Sequence, residues 1–428
     1  MKILSISVLI SFSIATQAQS LSAFERQALG NSPLVARALA DARALRARGQ
    51  GLRAPFKPMV SLTGVGAFGD DAPIFATAFE PSNYLLAMGD PIGIGSIMAM
   101  WRVYSGGRDR SAAGIASALL SEGDAQITQA KLDVVRDVRV AFAEASAAEG
   151  AKAARAAGVA AAVELLQVSE QRFQAGSAPE AFVLKARADL ARAQRQLALA
   201  EADAVSRTAA LKEAVGMDQQ GQVESSDWDV ALDAPATLGE SIAAAEARPE
   251  VRIALARKAA FDQRSRSARQ SAYPELNLVG MGTGMATETE SDVFYKVGLV
   301  LSVPLLDGGM RRAEAQEMKS MADGVDHELR ALRLRIAREV ASAWAAWQAA
   351  PKAIAASDAE VASAEEAFRI AKLRYTEGKA PQVEVEQASA DLVEALAGRA
   401  EANAFRQIAW ANLMWAVGKS PDQEDQNQ

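Results

Sequence analysis

The sequence contains two tandem copies of one structural unit, and this duplication limits the folds that the chain can adopt. Landmarks in the first half recur in the second half after a constant interval of 202 residues, and two prolines farther upstream recur after 216 residues. The first copy therefore has 14 additional residues, which lie between Pro58 and Gly106. The pairs at the shorter interval are Gly106/Gly308, Gly107/Gly309, Arg172/Arg374, Gly176/Gly378, Pro179/Pro381 and Gly216/Gly418, and those at the longer interval are Pro33/Pro249 and Pro58/Pro274.

Each copy has the same predicted order of elements. A helical segment over about residues 21–54, and again over 239–272, precedes two extended segments. In the second copy Tyr295, Val297 and Leu299 alternate with other residues at the period of two that a strand requires. In the first copy the stretch 91–103 is rich in glycine and methionine, so its register stays open. Residues 68–91 and 283–292 are predicted to be exposed loops.

A very long helix follows each pair of extended segments. Residues 107–176 and 309–378 carry no internal loop signal, which predicts helices about 100 Å long at ~1.5 Å per residue. Apolar residues at steps of three and four, such as Leu329, Leu332 and Ile336, indicate coiled-coil packing. Pro351 is expected to interrupt the second long helix with a kink. A Gly-x-x-Pro break and a shorter helix complete each copy.

The first eighteen residues are typical of a secretory signal, which implies that the chain is exported. Lys2 supplies a positive start, residues 3–14 are apolar, and Thr16-Gln17-Ala18 forms a small-residue cleavage site. The mature chain is then expected to begin near Gln19. The alternative, a membrane-spanning helix, is disfavoured because a span needs roughly 20 apolar residues.

The composition excludes several classes of function. The 46 basic and 53 acidic residues give a net charge of −7, which disfavours nucleic acid as a partner. Cysteine is absent, so disulfides, thiolate metal sites and a lipid anchor on an N-terminal cysteine are excluded. The single histidine, His327, lies in a helical pattern. We therefore expect no catalytic residue, no metal centre and no cofactor, and the chain is not expected to be an enzyme.

The extended segments are the part of the chain that could enter a membrane. After the signal no stretch approaches ~18 uninterrupted apolar residues, so insertion has to use strands. Two strands per copy give four per chain, and four strands leave two edges that hydrocarbon cannot satisfy. Association is therefore required. Three chains give twelve strands and a lumen wide enough for solutes, whereas the interior of an eight-stranded assembly is usually filled.

The order of parts, their duplication and three short motifs together resemble the TolC family of outer-membrane efflux and secretion channels. The motifs are Pro274-Glu275-Leu276, the joint from Val303 to Gly309, and an aromatic-x-x-Gly break in each copy. The resemblance implies a mainly α-helical fold of long coiled-coil helices with a small membrane β part. It also implies a homotrimer with a 12-stranded β-barrel in the outer-membrane lipid and a periplasmic α-helical tunnel. The absence of cysteine is a departure from many relatives, which carry a lipid anchor on a cysteine. The implied organisation is a signal (1–18), a first repeat (19–216), an equatorial linker (217–238), a second repeat (239–418) and a polar tail (419–428).

Two helix turns would lie at the far end of the tunnel. In each, a glycine ends one helix where a positive φ is required and a proline starts the next, so a purely structural turn accounts for the pattern. The resemblance adds a docking role towards a periplasmic adaptor (membrane fusion) protein that is coupled to an inner-membrane pump. The turn residues are Arg172, Phe173, Gly176 and Pro179 in the first copy and Arg374, Tyr375, Gly378 and Pro381 in the second.

Past the second turn, the family carries acidic residues that narrow the tunnel mouth. Glu384 matches the first of these positions and Gln387 the second, so one carboxylate is kept. Three copies of Glu384 around a threefold axis would form a ring that favours cations; a solvated helix glutamate is the alternative. The first copy has Phe182 at the matching position.

The resemblance implies a passive conduit from periplasm to exterior, within a tripartite efflux pump or a type I secretion system. Its substrate stays open. The alternative is a periplasmic adaptor or coiled-coil scaffold of an export system, which would carry one helical hairpin where this chain carries two. Arg102 and Ser105 replace the Pro304 and Asp307 of the second copy, so the first strand-to-helix joint is expected to be shaped differently.

Overall fold

The computed structural model of the chain describes residues 20–67, 92–220, 228, 230, 232–286 and 291–419. The expected signal, the expected loop 68–91, much of the linker and nearly all of the tail lie outside these residues. In chain order the elements are α1 (Leu21–Asn31), α2 (Pro33–Arg53), β1 (Met59–Ala67), β2 (Ile92–Tyr104), α3 (Arg108–Gln174), α4 (Glu180–Val215), α5 (Leu238–Ala245), α6 (Pro249–Gln270), β3 (Glu275–Ala286), β4 (Ser291–Ser302), α7 (Met310–Thr376) and α8 (Gln382–Val417).

The mainly helical fold with two β-hairpins is confirmed. The helical segment that opens each copy, however, is two helices where the sequence predicted one. The break falls just before Pro33 in the first copy and just before Pro249 in the second. A proline disfavours the helical conformation in the residue that precedes it, and Ser32 is accordingly extended, with ψ 122°.

The long helices α3 and α7 contain 67 residues each, as their uninterrupted patterns predict. α7 continues through Pro351 from Met310 to Thr376, so this proline does not end the helix, and the kink expected there stays a prediction. Among the described residues, no helix is both long enough and apolar enough to span a membrane.

The two strand-to-helix joints form the same turn, so the expectation that they differ is wrong for the turn itself. The two glycines after Ser105 have φ values of 66° and 93°, and those after Asp307 have 63° and 90°. The side chains of Ser105 and Asp307 each accept a hydrogen bond from the backbone N–H four residues later, at 3.2 Å and 3.1 Å, and so cap the following helix. A difference between the copies lies one step earlier, where the pairing of β2 with β3 shifts register between Arg102 and Tyr104.

The four strands form one antiparallel sheet in the order β1-β2-β3-β4. The pairing places β2 and β3 in the centre and leaves β1 and β4 at the two edges. Part of the expected loop 283–292 is strand, because β3 extends to Ala286 and β4 starts at Ser291; residues 287–290 lie outside the description.

The described chain divides into two compact units. The first lies within residues 1–39, 126–251 and 332–428, and the second, which contains the sheet, within 40–125 and 252–331. The core of the first unit includes a row of ring contacts through Phe24, Phe142, Trp228 and Trp410, with successive centroids 6.0, 6.1 and 5.9 Å apart. This row joins α1, α3 and α8 through an aromatic residue of the linker.

Candidate functional site

The turns α3–α4 and α7–α8 have the same backbone geometry. Gly176 and Gly378 adopt positive φ values of 70° and 74°. In each turn the glycine N–H and the next N–H donate to carbonyls of the last helical turn, at 2.9 and 2.8 Å in the first and 2.9 and 2.7 Å in the second. This pattern satisfies carbonyls that a helix end leaves free. Pro179 and Pro381 then stand immediately before α4 and α8.

The two turns contact each other through Arg172 and Tyr375. The Arg172 guanidinium lies over the Tyr375 ring at 4.9 Å from its centroid, and its Nη1 donates to the Tyr375 carbonyl oxygen at 3.2 Å. The hydroxyl groups of Ser169 and Tyr375 are hydrogen-bonded at 3.3 Å. Beneath the ring, Val385 and Phe368 belong to the same apolar cluster. These contacts hold the two turns together, so that they form one continuous surface.

Equivalent aromatic residues in the two turns have opposite environments. Tyr375 is 3% exposed, whereas Phe173, which occupies the same place in the first copy, is 45% exposed. The sequence predicted both as docking residues and could not distinguish them. Phe173 is available to a partner, and Tyr375 has a structural role.

Glu384 does not carry an isolated negative charge. Its carboxylate accepts a hydrogen bond from Nη1 of Arg374, and the two side chains form an ion pair that is partly exposed. Gln387 donates through Nε2 to Asp391 Oδ1 at 2.7 Å. Arg374 thus links the second turn to Glu384, whereas Gln387 pairs with Asp391 on its own helix. In the first copy Phe182 is an exposed side chain.

A further charged cluster lies beside the expected gate residues, and the sequence reasoning missed it. Lys185 donates to Asp189 at 2.8 Å and also to Glu386. Partial burial lowers the pKa of Lys185, but the hydrogen bonds that its ammonium group donates to Asp189 and Glu386 outweigh this effect and raise the pKa. The repeat interval was the signal: Lys185 and Asp189 stand 202 residues before Gln387 and Asp391. The first copy therefore carries a cation where the second carries an amide.

The sheet has one face lined by exposed apolar side chains. The pairing register places Leu62, Ile97, Leu278 and Leu299 on this face, and large apolar residues there are exposed. Strand β4 is exposed along its whole length. An exposed apolar face of this kind requires an apolar environment or a partner surface.

Comparison with known proteins gives a consistent result. The family model described as "Outer membrane efflux protein" matches residues 89–217 and 242–419. A search of curated proteins finds no match. Among solved structures, the chain is similar to the outer membrane protein VceC of Vibrio cholerae, with 18% sequence identity and a TM-score of 0.77 over 93% of this chain and 96% of that one.

Two further solved structures agree in fold. A membrane protein from Pseudomonas aeruginosa shares 22% identity, with a TM-score of 0.77 over 94% of this chain and 91% of that one. The CmeC outer membrane channel of Campylobacter jejuni shares 15% identity, with a TM-score of 0.77 over 100% of this chain and 96% of that one. At these identities the likeness concerns the fold.

Proposed function

Because the chain belongs to the outer membrane efflux protein family, we propose that three copies form one passive conduit from the periplasm to the exterior. The family makes it an outer membrane efflux channel of the TolC type, with a helical extension into the periplasm, and not an enzyme or an adaptor.

The trimer is proposed because the sheet of one chain has two edge strands. Strands β1 and β4 lie at the edges of the four-stranded sheet, and β4 is exposed on both faces. In hydrocarbon an unpaired edge leaves backbone N–H and C=O groups without partners, at a cost of several kcal/mol for each group. Pairing β4 of one chain with β1 of the next removes every edge when the ring closes. Three chains then give twelve strands around a lumen.

The helix turns are the proposed docking surface for a periplasmic adaptor coupled to an inner-membrane pump. This role is supported by the exposed Phe173 and by the contact between Arg172 and Tyr375, which presents both turns as one surface. Exposed aromatic residues are frequent anchors of protein interfaces. The linker 217–238 is proposed to form part of an equatorial collar around the helices, because its Trp228 packs against Trp410 of α8.

The docking role is tested by adaptor binding to Phe173→Ala. A control, Phe405→Ala, removes a similarly exposed aromatic side chain of α8. We expect the first change to weaken binding by about 1–2 kcal/mol, which corresponds to roughly tenfold in Kd, as at the edge of a binding hot spot. The control is expected to bind normally. Equal affinities for both variants and the unchanged protein would remove Phe173 from the docking surface.

Glu384 is the proposed gate residue. In a trimer three Glu384–Arg374 pairs would surround the axis, and each pair would hold the start of α8 against the second turn. Opening of the tunnel mouth would break these pairs and expose the carboxylates, which favour cations. Gln387 is proposed to line the mouth without contributing charge.

The conduit itself is tested by electrical recording. The purified protein is reconstituted in planar lipid bilayers, and single-channel current is measured under a salt gradient. We expect discrete conductance steps without any energy source, because the proposed conduit is passive. Protein that associates with the membrane but never conducts would contradict the proposed conduit.

A further inference from the structure

Three arginine side chains lie together where the strands meet the long helices. Nε of Arg102, on β2, is 3.7 Å from Oε1 of Glu275, at the start of β3. Arg108, the first residue of α3, forms an ion pair with the same carboxylate. Arg311, in the first turn of α7, pairs with Asp307 at 3.2 Å. Burial and the neighbouring charges of Arg102 and Arg311 lower the pKa of Arg108 below its usual value, so the three cations form one arginine cluster.

Positive charge exceeds negative charge around the arginine cluster. Residues 102–112, 275 and 307–313 contain five arginines and three acidic residues. The Nε atoms of Arg102 and Arg108 are buried and have no hydrogen-bond partner among the described residues. An unused buried donor is unfavourable unless another group accepts its hydrogen bond. The cluster therefore has more donors than the carboxylates of the chain use.

Arg102 and Glu275 lie on the face of the sheet opposite the apolar face. All charged residues of the described strands share this side, namely Arg102, Glu275, Asp292 and Lys296. Charged side chains are unfavourable in lipid, whereas the interior of a membrane barrel is polar, so this side is the one that would line the lumen. The side chains of Arg102 and Arg108 are 22% and 23% exposed. A solute in the lumen can therefore reach the cluster.

The arginine cluster belongs to the first strand-to-helix joint alone. At the repeat interval of 202 residues, Pro304 and Met310 stand where the first copy has Arg102 and Arg108. The guanidinium group of Arg102 also lies over the ring of Phe56, 5.2 Å from its centroid, and this contact restricts its orientation. Because the second joint forms the same turn without these arginines, the turn does not require them.

From this geometry we propose that the arginine cluster is a transit site for oxyanions, the phosphate or carboxylate groups of small solutes. The planar guanidinium group can donate two parallel hydrogen bonds to such a group, and this geometry selects oxyanions over neutral solutes. The inference deepens the proposed conduit and rests on it, because the cluster lines a lumen only in the assembled channel.

Glu275 is expected to keep the binding weak. Its carboxylate pairs with both Arg102 and Arg108 and is itself an oxyanion, so a solute has to compete with it. Conduction requires a site that binds an ion well enough to admit it and weakly enough to release it. Removal of this carboxylate should therefore strengthen anion binding, whereas removal of an arginine should weaken it.

The test measures how inorganic phosphate blocks the single-channel current that the full-length protein carries in potassium chloride. Arg102→Gln removes one cation of the cluster and leaves the pair of Arg108 with Glu275 in place. Glu275→Gln removes the competing carboxylate. Arg110→Gln and Glu314→Gln make the same changes of charge at exposed positions of α3 and α7, and they serve as matched controls.

We expect phosphate to block the unchanged channel in a saturable way. The half-blocking concentration should rise about five- to tenfold in Arg102→Gln, because a charge-assisted hydrogen bond to the anion is lost, and fall by a similar factor in Glu275→Gln. Both controls should match the unchanged protein. If Arg102→Gln forms no channels, the fall in Glu275→Gln decides the question.

Three results would overturn the proposal: no saturable block of the unchanged channel, no fall in Glu275→Gln, or shifts of equal size in the controls. The current in potassium chloride alone separates this inference from the proposed function. Normal current without phosphate block would refute the anion site alone, whereas absence of current in the unchanged protein would refute the conduit.

Discussion

The guanidinium group of Arg172 lies over the ring of Tyr375, 4.9 Å from its centroid, and so joins the two helix turns of one chain. These residues come from different copies of the duplicated unit. Their equivalents, Arg374 and Phe173, do not repeat the contact: Arg374 pairs with Glu384, and Phe173 is exposed. The duplicated turns have therefore diverged, one towards internal support and the other towards an available surface.

Replacement of Tyr375 by alanine is expected to destabilise the chain far more than the same change at Phe173. The buried ring of Tyr375 leaves a cavity when it is removed, which costs about 3–5 kcal/mol, whereas an exposed side chain costs within about 0.5 kcal/mol. Urea denaturation of the two variants in detergent measures the difference. Similar midpoints for both would contradict the division of roles.

Glu384→Gln is expected to reduce the cation preference of the channel. The change removes one carboxylate per chain from the proposed mouth, and the reversal potential in planar bilayers under a salt gradient reports the result. Glu366→Gln serves as the control, because Glu366 also pairs with an arginine, Arg369, but on the side of α7 before the turn. A gate at Glu384 predicts a shift for the first variant only. An unchanged reversal potential would remove the gate assignment while leaving the fold intact.

The stability of the first unit is expected to depend on pH through Asp133. Burial raises the pKa of Asp133, although the hydrogen bond from Trp415 Nε1, at 2.7 Å, acts in the opposite direction. A raised pKa means that the folded protein binds a proton at Asp133 more tightly than the unfolded chain does. The stabilisation that this proton gives is complete below the ordinary pKa of 3.8 and is lost as the pH rises through the raised value.

Asp133→Asn removes this titration and keeps an acceptor for Trp415. The variant is expected to gain stability relative to the unchanged protein at neutral pH, and the gain should vanish below pH 3.8. Asp133→Ala provides a contrast, because it leaves the indole N–H without a partner at a cost of about 1–3 kcal/mol. The measurement is the unfolding midpoint of each variant from below pH 3.8 to neutral pH. An Asn variant without a pH-dependent gain in stability would refute the proposed role of Asp133.

The two faces of β4 are expected to respond differently to a positive charge. Val297, on the apolar face, is 76% exposed, and Val300, on the opposite face, is 51% exposed. Val297→Arg would place a guanidinium in lipid, at about 2–4 kcal/mol near the middle of the bilayer. Val300→Arg would face the lumen and is expected to assemble normally. Recovery of each variant in the outer-membrane fraction is the measurement, and equal recovery would contradict the assignment of the faces.

The turn glycines were sufficient to predict where the long helices begin and end, because a positive φ is a local backbone requirement. The break within the helical segment that opens each copy was missed. The register of β2 could not be predicted. Ile97 and Trp101 face one side of this strand while Met98 and Met100 face the other, so both faces are apolar and the period of two disappears. Only pairing with β1 and β3 fixes such a strand.

The contacts around the candidate gate could not be predicted from the sequence either. The Glu384–Arg374 pair spans ten residues and a turn, and the Lys185–Glu386 pair joins residues 201 apart. Side-chain charge shows that an ion pair can form, but the packing of helices decides which partner lies within reach.

The four strands of one chain are proposed to close into a barrel only by pairing with strands of sister chains. Native mass spectrometry of the full-length protein, released from detergent micelles under mild conditions, counts the chains directly. We expect a single species with three chains, and therefore twelve strands. A chain that remains single in solution and needs no detergent to stay dispersed would contradict it.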